Sequence, residues 1–477
     1  MAPLTDREID AIARRIVADI ERQPGGRPVP DGEVDDRGGV FTGVDQAVEA
    51  SRHAQPVFAA LSLARRARIL GAIRTLLLDQ AEGLARAARD ETRLGRVEDK
   101  IVKNRLVTER TPGLEELAPV AVTGDHGLTL MEPAPFGVIG AITPCTNPTS
   151  TIICNAIGML AAGNSVVFNV HPTARECSIQ TVALLNRAIV EAGGPPNTVT
   201  CVARPTIESA QALMAHRDVR LIVVTGGGAV VKAAMASGKR AICAGPGNPP
   251  VVVDETADIG KAARDIVAGA STDNNIICVD EKEVIAVASI ADALVSAMTK
   301  GPAVLIGRDR LADLERLIFV RQHGPRKAAE INRDLTGQDA SVVLGKIGMN
   351  VPASVRLGIV EVDENHPLLW TEQMMPILPI CRAPSADAAI DLAIAVEGGN
   401  RHTAVMHSKN LDHLSRMAKA CDCSIFVKNG RSQAGLGLDG EGYCSFTIAS
   451  PTGEGLTGPR SFSRWRRCVL VDHFRIT

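Results

Sequence analysis

Cys278 is the residue whose sequence context best suits covalent chemistry. It follows an Asn-rich loop over 271–275 and precedes an apolar, strand-like run over 283–289. A thiol presented on a loop beside a sheet can act as a nucleophile, whereas a thiol inside a strand is usually a packing residue. Both interpretations stay open, because the chain has 11 cysteines and because Asp280 and Glu281 would disfavour a thiolate if they lay close.

Asn147 lies in the stretch T-P-C-T-N-P, residues 143–148, at a predicted strand-to-helix turn. Its side chain could simply cap the following helix, as Asn often does at such a position. Alternatively, it could direct an N–H donor into the cleft at the carboxyl ends of the strands, where open α/β sheets bind ligands. A donor in that position would stabilise an oxyanion.

Two glycine-rich stretches are candidates for phosphate binding. Residues 225–228, T-G-G-G, follow a predicted strand over 219–224 and open a predicted helix over 228–237, so backbone N–H groups there can meet a pyrophosphate. A tight turn explains this stretch equally well, since the third Gly of the usual fingerprint is missing. Residues 435–440 fit G-x-G-x-x-G by spelling, but no strand–helix unit surrounds them, which argues against a dinucleotide motif.

The composition argues against several classes of function. The net charge of −2 and the aromatic content of 3% disfavour a nucleic-acid partner. The chain shows neither an apolar run of membrane-spanning length nor an export signal, so we expect a cytoplasmic protein without membrane contact. The odd number of cysteines disfavours a disulfide framework. Cys421 and Cys423 lack a second ligand pair nearby in sequence, so no metal site is predicted.

The N-terminal segment differs in character from the rest of the chain. Residues 4–22 carry apolar side chains at helical spacing, including Ile9, Ile12 and Ile16, with arginines mostly on the other side. A linker rich in Pro and Gly follows. A short amphipathic helix on a tether must bury its apolar stripe elsewhere, either on its own domain or on a partner protein.

Strands and helices alternate from residue 136 onward, which predicts an α/β fold with a parallel sheet covered on both faces. A second α/β series begins near Val251 and contains Cys278. Residues 121–133 resemble an extended arm, with a hairpin near 124–127. The unpaired edge of such an arm in a monomer predicts a dimer or tetramer.

Five motifs, in this order, resemble the aldehyde dehydrogenase superfamily: T-P-x-x-N-P, V-T-G-G-G-A-V-V, A-G-P-G-N-P-P-V-V-V-D, N-N-I-I-C and T-E-Q-M-M-P. Within the superfamily the chain looks most like the CoA-acylating propionaldehyde dehydrogenases of bacterial microcompartments. The resemblance runs from about residue 44 to the C-terminus. It implies an aldehyde dehydrogenase-like α/β fold with a Rossmann-type NAD-binding domain, an α/β catalytic domain and a β-arm for oligomerisation.

The resemblance implies a role for each matched residue. Cys278 is the nucleophile that attacks the aldehyde to give a thiohemiacetal, and Asn147 with the backbone N–H of Cys278 holds the oxyanion. Hydride transfer to NAD then leaves an acyl-thioester on Cys278. The implied cofactor-binding residues are Thr143 and Pro144 beside the nicotinamide, Gly226, Gly227 and Val230 along the pyrophosphate and adenine, Glu372 on the nicotinamide ribose, His171 near the adenosine ribose, and Gly245 and Gly247 beside the path of coenzyme A.

His171 departs from the family pattern. Hydrolytic members have a Lys before the Pro that follows the second strand, where this chain reads V-H-P over 170–172. A histidine is a weaker and pH-dependent cation. We expect NAD rather than NADP, although His171 in place of the family Lys weakens the sequence evidence for choosing between the two cofactors.

The absence of the Glu that hydrolytic members use as a general base predicts which molecule accepts the acyl group. Hydrolytic members carry a general base in an E-L-G-G motif, and the corresponding residues 243–248 read C-A-G-P-G-N. No Asp or Glu occurs between Asp218 and Asp254. A general base contributes about 10²–10⁴-fold to its step, and a thiol ionises far more readily than water. The acyl group is therefore expected to pass to CoA, although strands and Gly turns also lack acids for ordinary reasons.

The resemblance also predicts a domain order. The expected segments are an amphipathic targeting helix over 1–22, a flexible linker over 23–43, an NAD-binding domain over 44–249 with the oligomerisation arm at 121–133, a catalytic domain over 250–430, and a Gly-rich return with a C-terminal oligomerisation strand over 431–477. Residues 4–22 are expected to bind a shell or cargo protein of a microcompartment in the bacterial cytoplasm.

The expected reaction converts a short-chain aldehyde, CoA and NAD⁺ into acyl-CoA and NADH. The scarcity of aromatic side chains for shaping the pocket favours a short aliphatic aldehyde such as propionaldehyde. One alternative is a hydrolytic aldehyde dehydrogenase that yields a free acid. The other is a non-catalytic NAD-binding scaffold protein whose N-terminal helix recruits partners.

Overall fold

The computed structural model describes residues 38–477. The predicted helix over 4–22 and the linker up to residue 37 lie outside the described residues. The helices of the described part are α1 (Val44–Ala59), α2 (Leu63–Asp79), α3 (Ala81–Thr92), α4 (Val97–Arg110), α5 (Pro148–Ala161), α6 (Arg175–Glu191), α7 (Ile207–Ala215), α8 (Gly228–Met235), α9 (Ile259–Ala270), α10 (Ala288–Met298), α11 (Leu311–Ile318), α12 (Ala340–Gly345), α13 (Ala386–Glu397) and α14 (Leu411–Cys421). The strands are β1 (Val40–Phe41), β2 (Val120–Gly124), β3 (Gly127–Pro135), β4 (Val138–Ile142), β5 (Ser165–Asn169), β6 (Val199–Val202), β7 (Val219–Thr225), β8 (Ala241–Ala244), β9 (Pro250–Val253), β10 (Glu283–Val287), β11 (Ala303–Ile306), β12 (Phe319–Arg321), β13 (Glu330–Ile331), β14 (Leu357–Glu361), β15 (Ile377–Ala383), β16 (Thr403–His407), β17 (Ile425–Lys428), β18 (Ile448–Ala449), β19 (Gly455–Leu456) and β20 (Ser463–Val471).

Six parallel strands form the first sheet, in the order β1-β6-β5-β4-β7-β8. Every residue of β4 and of β5 is buried. An unbroken apolar run with both faces covered is the pattern of a parallel sheet between helices, so the predicted α/β fold is confirmed. β1 adds the edge strand and pairs with β6, which places residues 40–41 of the predicted linker inside this sheet.

The strand order of the first sheet reverses at β4. Strands β5 and β6 extend the sheet on one side of β4, whereas β7 and β8 extend it on the other. Ile142 pairs with Val224 near the carboxyl ends of β4 and β7. The loops that begin at Thr143 and Gly226 therefore leave the sheet side by side, at the crevice where open α/β sheets bind ligands.

Seven parallel strands form the second sheet, in the order β11-β14-β15-β10-β9-β16-β17. The loop with Cys278 leads into β10, which pairs with both β9 and β15 near the middle of the sheet. The predicted strand over 283–289 is two residues too long, because α10 begins at Ala288. A short apolar run cannot distinguish a strand from the start of a buried helix. Cys278 itself lies in the loop, not in a strand.

A three-stranded antiparallel arm contains β2, β3 and β20, with β3 in the middle. The predicted hairpin is confirmed, since Gly124 pairs with Gly127 at its tip. Gly127 has a φ of 111°, and a Cβ there would overlap the carbonyl oxygen of Leu470, so only glycine fits. The C-terminal strand β20 runs along β3 over residues 463–471.

No helix within residues 38–477 is long and apolar enough to cross a lipid bilayer. The same residues contain no cluster of three or more His, Cys, Asp or Glu side chains that could hold a metal ion. The cysteines of this part are free thiols, and Cys421 is buried at the end of α14 while Cys423 is half-buried.

Candidate active site

The loop that carries Cys278 begins with three consecutive residues in the left-handed region of the backbone. Asp273, Asn274 and Asn275 have φ angles of 46°, 56° and 65°. Asn and Asp tolerate this conformation better than other residues with a side chain. The Asn-rich composition therefore serves a sharp turn between α9 and the segment that presents the thiol.

Side-chain hydrogen bonds hold this turn in place. Asn275 Nδ2 donates to the carbonyl oxygens of Ala270 at 2.8 Å and of Glu281 at 2.9 Å. One amide group thereby ties the residue that ends α9 to the residue that follows the nucleophile loop. Asn274 Nδ2 donates to the carbonyl oxygen of Gly337 at 2.9 Å, which anchors the loop to a neighbouring segment.

The buried ammonium group of Lys282 also lies against this loop. Its Nζ donates to the backbone oxygen and to Oδ1 of Asn275, both at 2.7 Å, and to the carbonyl oxygen of Ile277 at 3.2 Å. All three ammonium protons can therefore be used inside the loop. Lys282 is thus a cation of the loop itself, and its charge lowers the pKa of Cys278 without overcoming burial.

Cys278 is half-buried, and its thiol is neutral in the free protein. Burial, followed by the charges of Glu372 and Asp280, raises its pKa to about 12. The Glu281 carboxylate binds Ser432 instead of the nucleophile. It accepts from the backbone N–H of Ser432 at 2.7 Å and from the Ser432 hydroxyl at 2.9 Å. Of the two acids that follow Cys278 closely in sequence, Asp280 is the one that disfavours the thiolate.

Gly247 forms a wall against the nucleophile. A Cβ at this position would lie 2.7 Å from the carbonyl oxygen of Cys278 and 2.9 Å from Cγ of His402. Glu372 belongs to the same wall, since its carboxylate interacts with the backbone N–H of Gly247. Burial raises the pKa of Glu372, and Lys282 opposes that shift. The structure thus brings Cys278, Gly247 and Glu372 together.

His402 is a candidate functional residue that the sequence analysis missed. It is 1% exposed, and its Nδ1 lies 2.9 Å from the hydroxyl of Thr403. Burial and the charge of Lys282 lower its pKa to about 4, so the ring is neutral near pH 7. Its Nε2 is buried and has no hydrogen-bond partner within residues 38–477. No local motif marks this histidine, which is one of ten in the chain.

Asn147 stands immediately before α5, yet its side chain forms no capping hydrogen bond with the described residues of that helix. The capping interpretation is therefore wrong. Its Oδ1 accepts from Nζ of Lys103 at 2.7 Å, and its Nδ2 donates to the hydroxyl of Thr146 at 3.2 Å. The side chain is 6% exposed. Because Lys103 binds the amide oxygen of Asn147, the amide nitrogen Nδ2 is left as the donor of this side chain.

Thr143 and Pro144 follow β4 at the crevice of the first sheet. The Thr143 side chain is 2% exposed, and its hydroxyl lacks a hydrogen-bond partner in the described part of the chain. A buried hydroxyl at a ligand crevice is expected to bond to a ligand, because an unpaired buried polar group costs about 1–3 kcal/mol. Pro144 is half-buried beside it.

Gly226 and Gly227 connect β7 to the start of α8. Gly227 and Gly228 are exposed, and a Cβ at either would meet no atom of the described chain within 4 Å. Gly226 packs more closely, with its Cβ position 2.9 Å from Cγ1 of Val230. The open N-terminus of α8 beside Thr143 fits a pyrophosphate, because its N–H groups point outward.

The other two predicted site residues have different surroundings. A Cβ at the buried Gly245 would lie 3.1 Å from the ring of Pro451, so Gly245 packs against the Gly-rich return and not against Cys278. His171 follows β5, and its Nδ1 accepts from the backbone N–H of Thr173 at 3.2 Å. Burial lowers the pKa of His171, so its ring is neutral near pH 7.

A groove of about 480 Å³ lies elsewhere, between α3 and α6. It is lined by residues such as Ala87, Cys177 and Leu184. None of the predicted site residues borders it. The chemistry of the side chains, not the size of this groove, therefore identifies the candidate site.

The family model for the aldehyde dehydrogenase family matches residues 40–438 of this chain. The chain belongs to the aldehyde dehydrogenase family. This membership confirms the resemblance drawn from the five motifs.

Similar proteins place this aldehyde dehydrogenase among acylating members of the family. It is 50% identical to the acetaldehyde dehydrogenase (acetylating) EutE of Salmonella typhimurium, over 92% of this chain and 93% of that protein. It is 49% identical, with a TM-score of 0.90, to a propionaldehyde dehydrogenase from the fucose utilisation microcompartment of Clostridium phytofermentans, over 92% and 100% of the two chains. A propionaldehyde dehydrogenase of Rhodopseudomonas palustris with bound CoA and an acylated cysteine is 52% identical, with a TM-score of 0.89, over 92% and 99%.

The raised pKa of Cys278 predicts a steep pH dependence of its alkylation in this aldehyde dehydrogenase. A thiol with a pKa of about 12 has a thiolate fraction that grows about tenfold for each pH unit. We expect the rate of Cys278 alkylation by iodoacetamide to rise from about pH 7 to about pH 9 without a plateau. Quantitative mass spectrometry of the Cys278 peptide measures this rate, and Cys278→Ala reports background labelling. A plateau below about pH 8 would show a thiolate that is already stabilised.

Proposed function

We propose that the chain is a CoA-acylating aldehyde dehydrogenase that oxidises a short aliphatic aldehyde with NAD⁺ and CoA to acyl-CoA and NADH. The observation that carries this proposal is the wall at Gly247. The segment without any acid over 219–253 supplies that wall, and Gly247 lies so near Cys278 that a Cβ on it would be 2.7 Å from the carbonyl oxygen of Cys278. The segment that would carry the water-activating Glu of hydrolytic members therefore faces the nucleophile without a carboxylate.

The first half-reaction uses Cys278 and Asn147. The Cys278 thiol gives up its proton to solvent, its sulfur adds to the aldehyde carbon, and the oxygen becomes an oxyanion that accepts from Asn147 Nδ2 and from the backbone N–H of Cys278. Bound NAD⁺ supplies the hydride acceptor. The open start of α8 and the hydroxyl of Thr143 would hold its pyrophosphate and nicotinamide ends at the crevice, and Glu372 would hold the nicotinamide ribose.

The second half-reaction transfers the acyl group to CoA. Attack by the CoA sulfur on the thioester needs removal of its thiol proton. His402 suits this role because its ring is neutral, its Nε2 is unpartnered among the described residues, and it packs on the same Gly247 wall as Cys278. Collapse of the second oxyanion then releases acyl-CoA, and the proton held by His402 passes to the Cys278 sulfur and restores its resting thiol.

The reaction requires CoA for more than one turnover. With propionaldehyde and NAD⁺ alone, we expect a burst of no more than one NADH per active site, because the acyl-enzyme accumulates. With CoA, we expect steady NADH formation. Stopped-flow absorbance measures both phases, and a series of aldehydes should give the highest kcat/KM for propionaldehyde.

Cys278→Ala is the matched control for that experiment, and it should abolish both phases. Full NADH turnover without CoA would instead support a hydrolytic enzyme. Activity that survives in Cys278→Ala, or that is absent from both forms, would contradict the assigned chemistry and favour the scaffold alternative.

We further propose that the antiparallel arm makes the enzyme a homodimer or homotetramer. Val122 and Val469 both pair with Thr129, so the three side chains form one row across the arm. The two valines are 56% and 54% exposed, which leaves an apolar row on strands with open edges. A partner subunit would cover this row.

Replacing Val122 and Val469 with lysine tests the arm. We expect analytical ultracentrifugation to show a smaller species, because buried ammonium groups would oppose the interface. Leu411→Lys is the matched control, since Leu411 is 76% exposed at the start of α14. An unchanged sedimentation coefficient for the double variant would contradict a role for this face.

We also propose that residues 4–22 direct the enzyme to a shell or cargo protein of a microcompartment in the bacterial cytoplasm. The apolar stripe of that segment and the similarity to a microcompartment enzyme support this proposal. Deletion of residues 1–37 is the suitable test, because Val40 is 3% exposed and β1 belongs to the first sheet. We expect unchanged kcat/KM and loss of co-purification with shells. Retained encapsulation, or loss of activity alone, would contradict the proposal.

A further inference from the structure

Two lysines on one face of α4 share a single buried carboxylate. Lys100 and Lys103 are 3% and 4% exposed, and Asp273 is fully buried. Lys100 Nζ lies 3.0 Å from Oδ2 of Asp273, and Lys103 Nζ forms a hydrogen-bonded ion pair with the same oxygen. One carboxylate therefore faces two ammonium groups in the interior of the protein.

Asp273 is held tightly enough to organise both lysines. Its Oδ1 accepts from the backbone N–H of Arg96 at 2.6 Å, and its own N–H donates to Asp99 at 2.9 Å. Its carboxylate sits against Gly95, where any Cβ would overlap Oδ1. Burial alone would raise the pKa of Asp273, but the charges of Lys100 and Lys103 outweigh burial and lower it, so the carboxylate stays ionised.

Lys103 has a second partner that Lys100 lacks. Its Nζ donates to Oδ1 of Asn147 at 2.7 Å, whereas Lys100 Nζ reaches only the backbone oxygen of Thr146, at 3.5 Å. An ammonium group can only donate, so it must face the oxygen of the Asn147 amide and leave Nδ2 on the other side. A cation at the amide oxygen also polarises the group and strengthens its N–H donor.

We propose that Lys103, anchored by Asp273, is a positioning residue that fixes the amide of Asn147 and strengthens Nδ2 as the oxyanion donor. This inference rests on the oxyanion role of Asn147 in the proposed function. Lys103 touches neither the substrate nor the reacting sulfur and acts through Asn147. Asp273 begins the turn that presents Cys278, so the same carboxylate positions the nucleophile and its oxyanion donor.

Stability alone does not account for this arrangement. Lys100 already pairs with Asp273, and a second buried cation adds a desolvation penalty that the shared carboxylate offsets only in part. Burial lowers the pKa of Lys100 to about 8, with Lys103 adding to that effect and Asp273 opposing it. Lys103 therefore makes its neighbour harder to charge, which is unfavourable unless the second cation serves the site.

A double-mutant cycle between Lys103→Met and Asn147→Ala tests the inference. The rate measured is that of NADH formation in a single turnover with propionaldehyde and no CoA. Loss of one oxyanion donor lowers rates by about 10²–10³-fold, and loss of a residue that orients a site residue lowers them by about 10–100-fold. We expect each single variant to be slower by these factors, with KM for NAD⁺ unchanged.

The double variant distinguishes positioning from a structural role. If Lys103 acts through Asn147, Lys103→Met slows the Asn147→Ala enzyme by less than about threefold, since linked residues give non-additive effects. The inference would be overturned if the rate of the double variant fell by the product of the two single-variant factors. It would also be overturned if Lys103→Met alone kept the normal rate. A normal rate in Asn147→Ala would instead refute the oxyanion role of Asn147, and the inference with it.

Lys100→Met is the matched control, because it removes the other ammonium from Asp273 and leaves the contact with Asn147 intact. We expect a smaller loss than in Lys103→Met. An equal loss would assign the effect to charge balance at Asp273 and overturn the inference. If Lys103→Met does not fold, as judged by its thermal transition, Lys103→Gln replaces it, because it removes the charge that strengthens the Asn147 donor. We then expect a slower single turnover whose loss disappears in the Asn147→Ala background, and an unchanged rate in Lys103→Gln would overturn the inference.

Discussion

The buried carboxylate of Asp273 joins parts of the site that lie far apart in the sequence. It accepts from the backbone at the start of α4, and it binds two lysines of that helix. Its own backbone begins the left-handed turn before Cys278. Removing one partner of a buried ion pair costs about 3–5 kcal/mol, because an uncompensated charge is left behind. This carboxylate therefore links the nucleophile loop to Lys103, which binds the amide oxygen of Asn147.

The electrostatics of the site favour transfer of an acyl group between sulfur atoms. Cys278 rests as a neutral thiol, and His402 rests as a neutral imidazole. Gly247 contributes backbone but no carboxylate to the wall beside them. The carboxylate at this wall, that of Glu372, interacts with the backbone N–H of Gly247. The wall therefore lacks the free general base that water would need, whereas a thiol needs only modest help to ionise.

Residues within local motifs were predictable from the sequence. Thr143 and Gly226 follow apolar strands and precede helices, so their position at the carboxyl edge of a sheet follows from local pattern alone. Cys278 stood out for a similar reason, since Asn and Asp before it favour a left-handed turn. The family resemblance assigned Glu372 to the nicotinamide ribose, and in the structure its charge acts on the Cys278 thiol.

Residues whose contacts lie far away in the sequence were not predictable from local patterns. Lys103 lies 170 positions before Asp273, on a helix rich in charged residues. His402 precedes a buried strand in a stretch without any motif. Their contacts come from the packing of α4 and β16 against the nucleophile loop, which no local periodicity reports. The end of β10 was misplaced because Ala288 continues an apolar run while it begins a helix.

The most direct test of the chemistry at Cys278 is mass spectrometry of the peptide that contains it, after reaction with propionaldehyde and NAD⁺ alone. We expect a propionyl thioester on Cys278 that persists until CoA is added and then disappears as propionyl-CoA forms. An unmodified Cys278 peptide, together with free propionate and continuing NADH production, would contradict both the nucleophile and the acyl acceptor assigned to this enzyme.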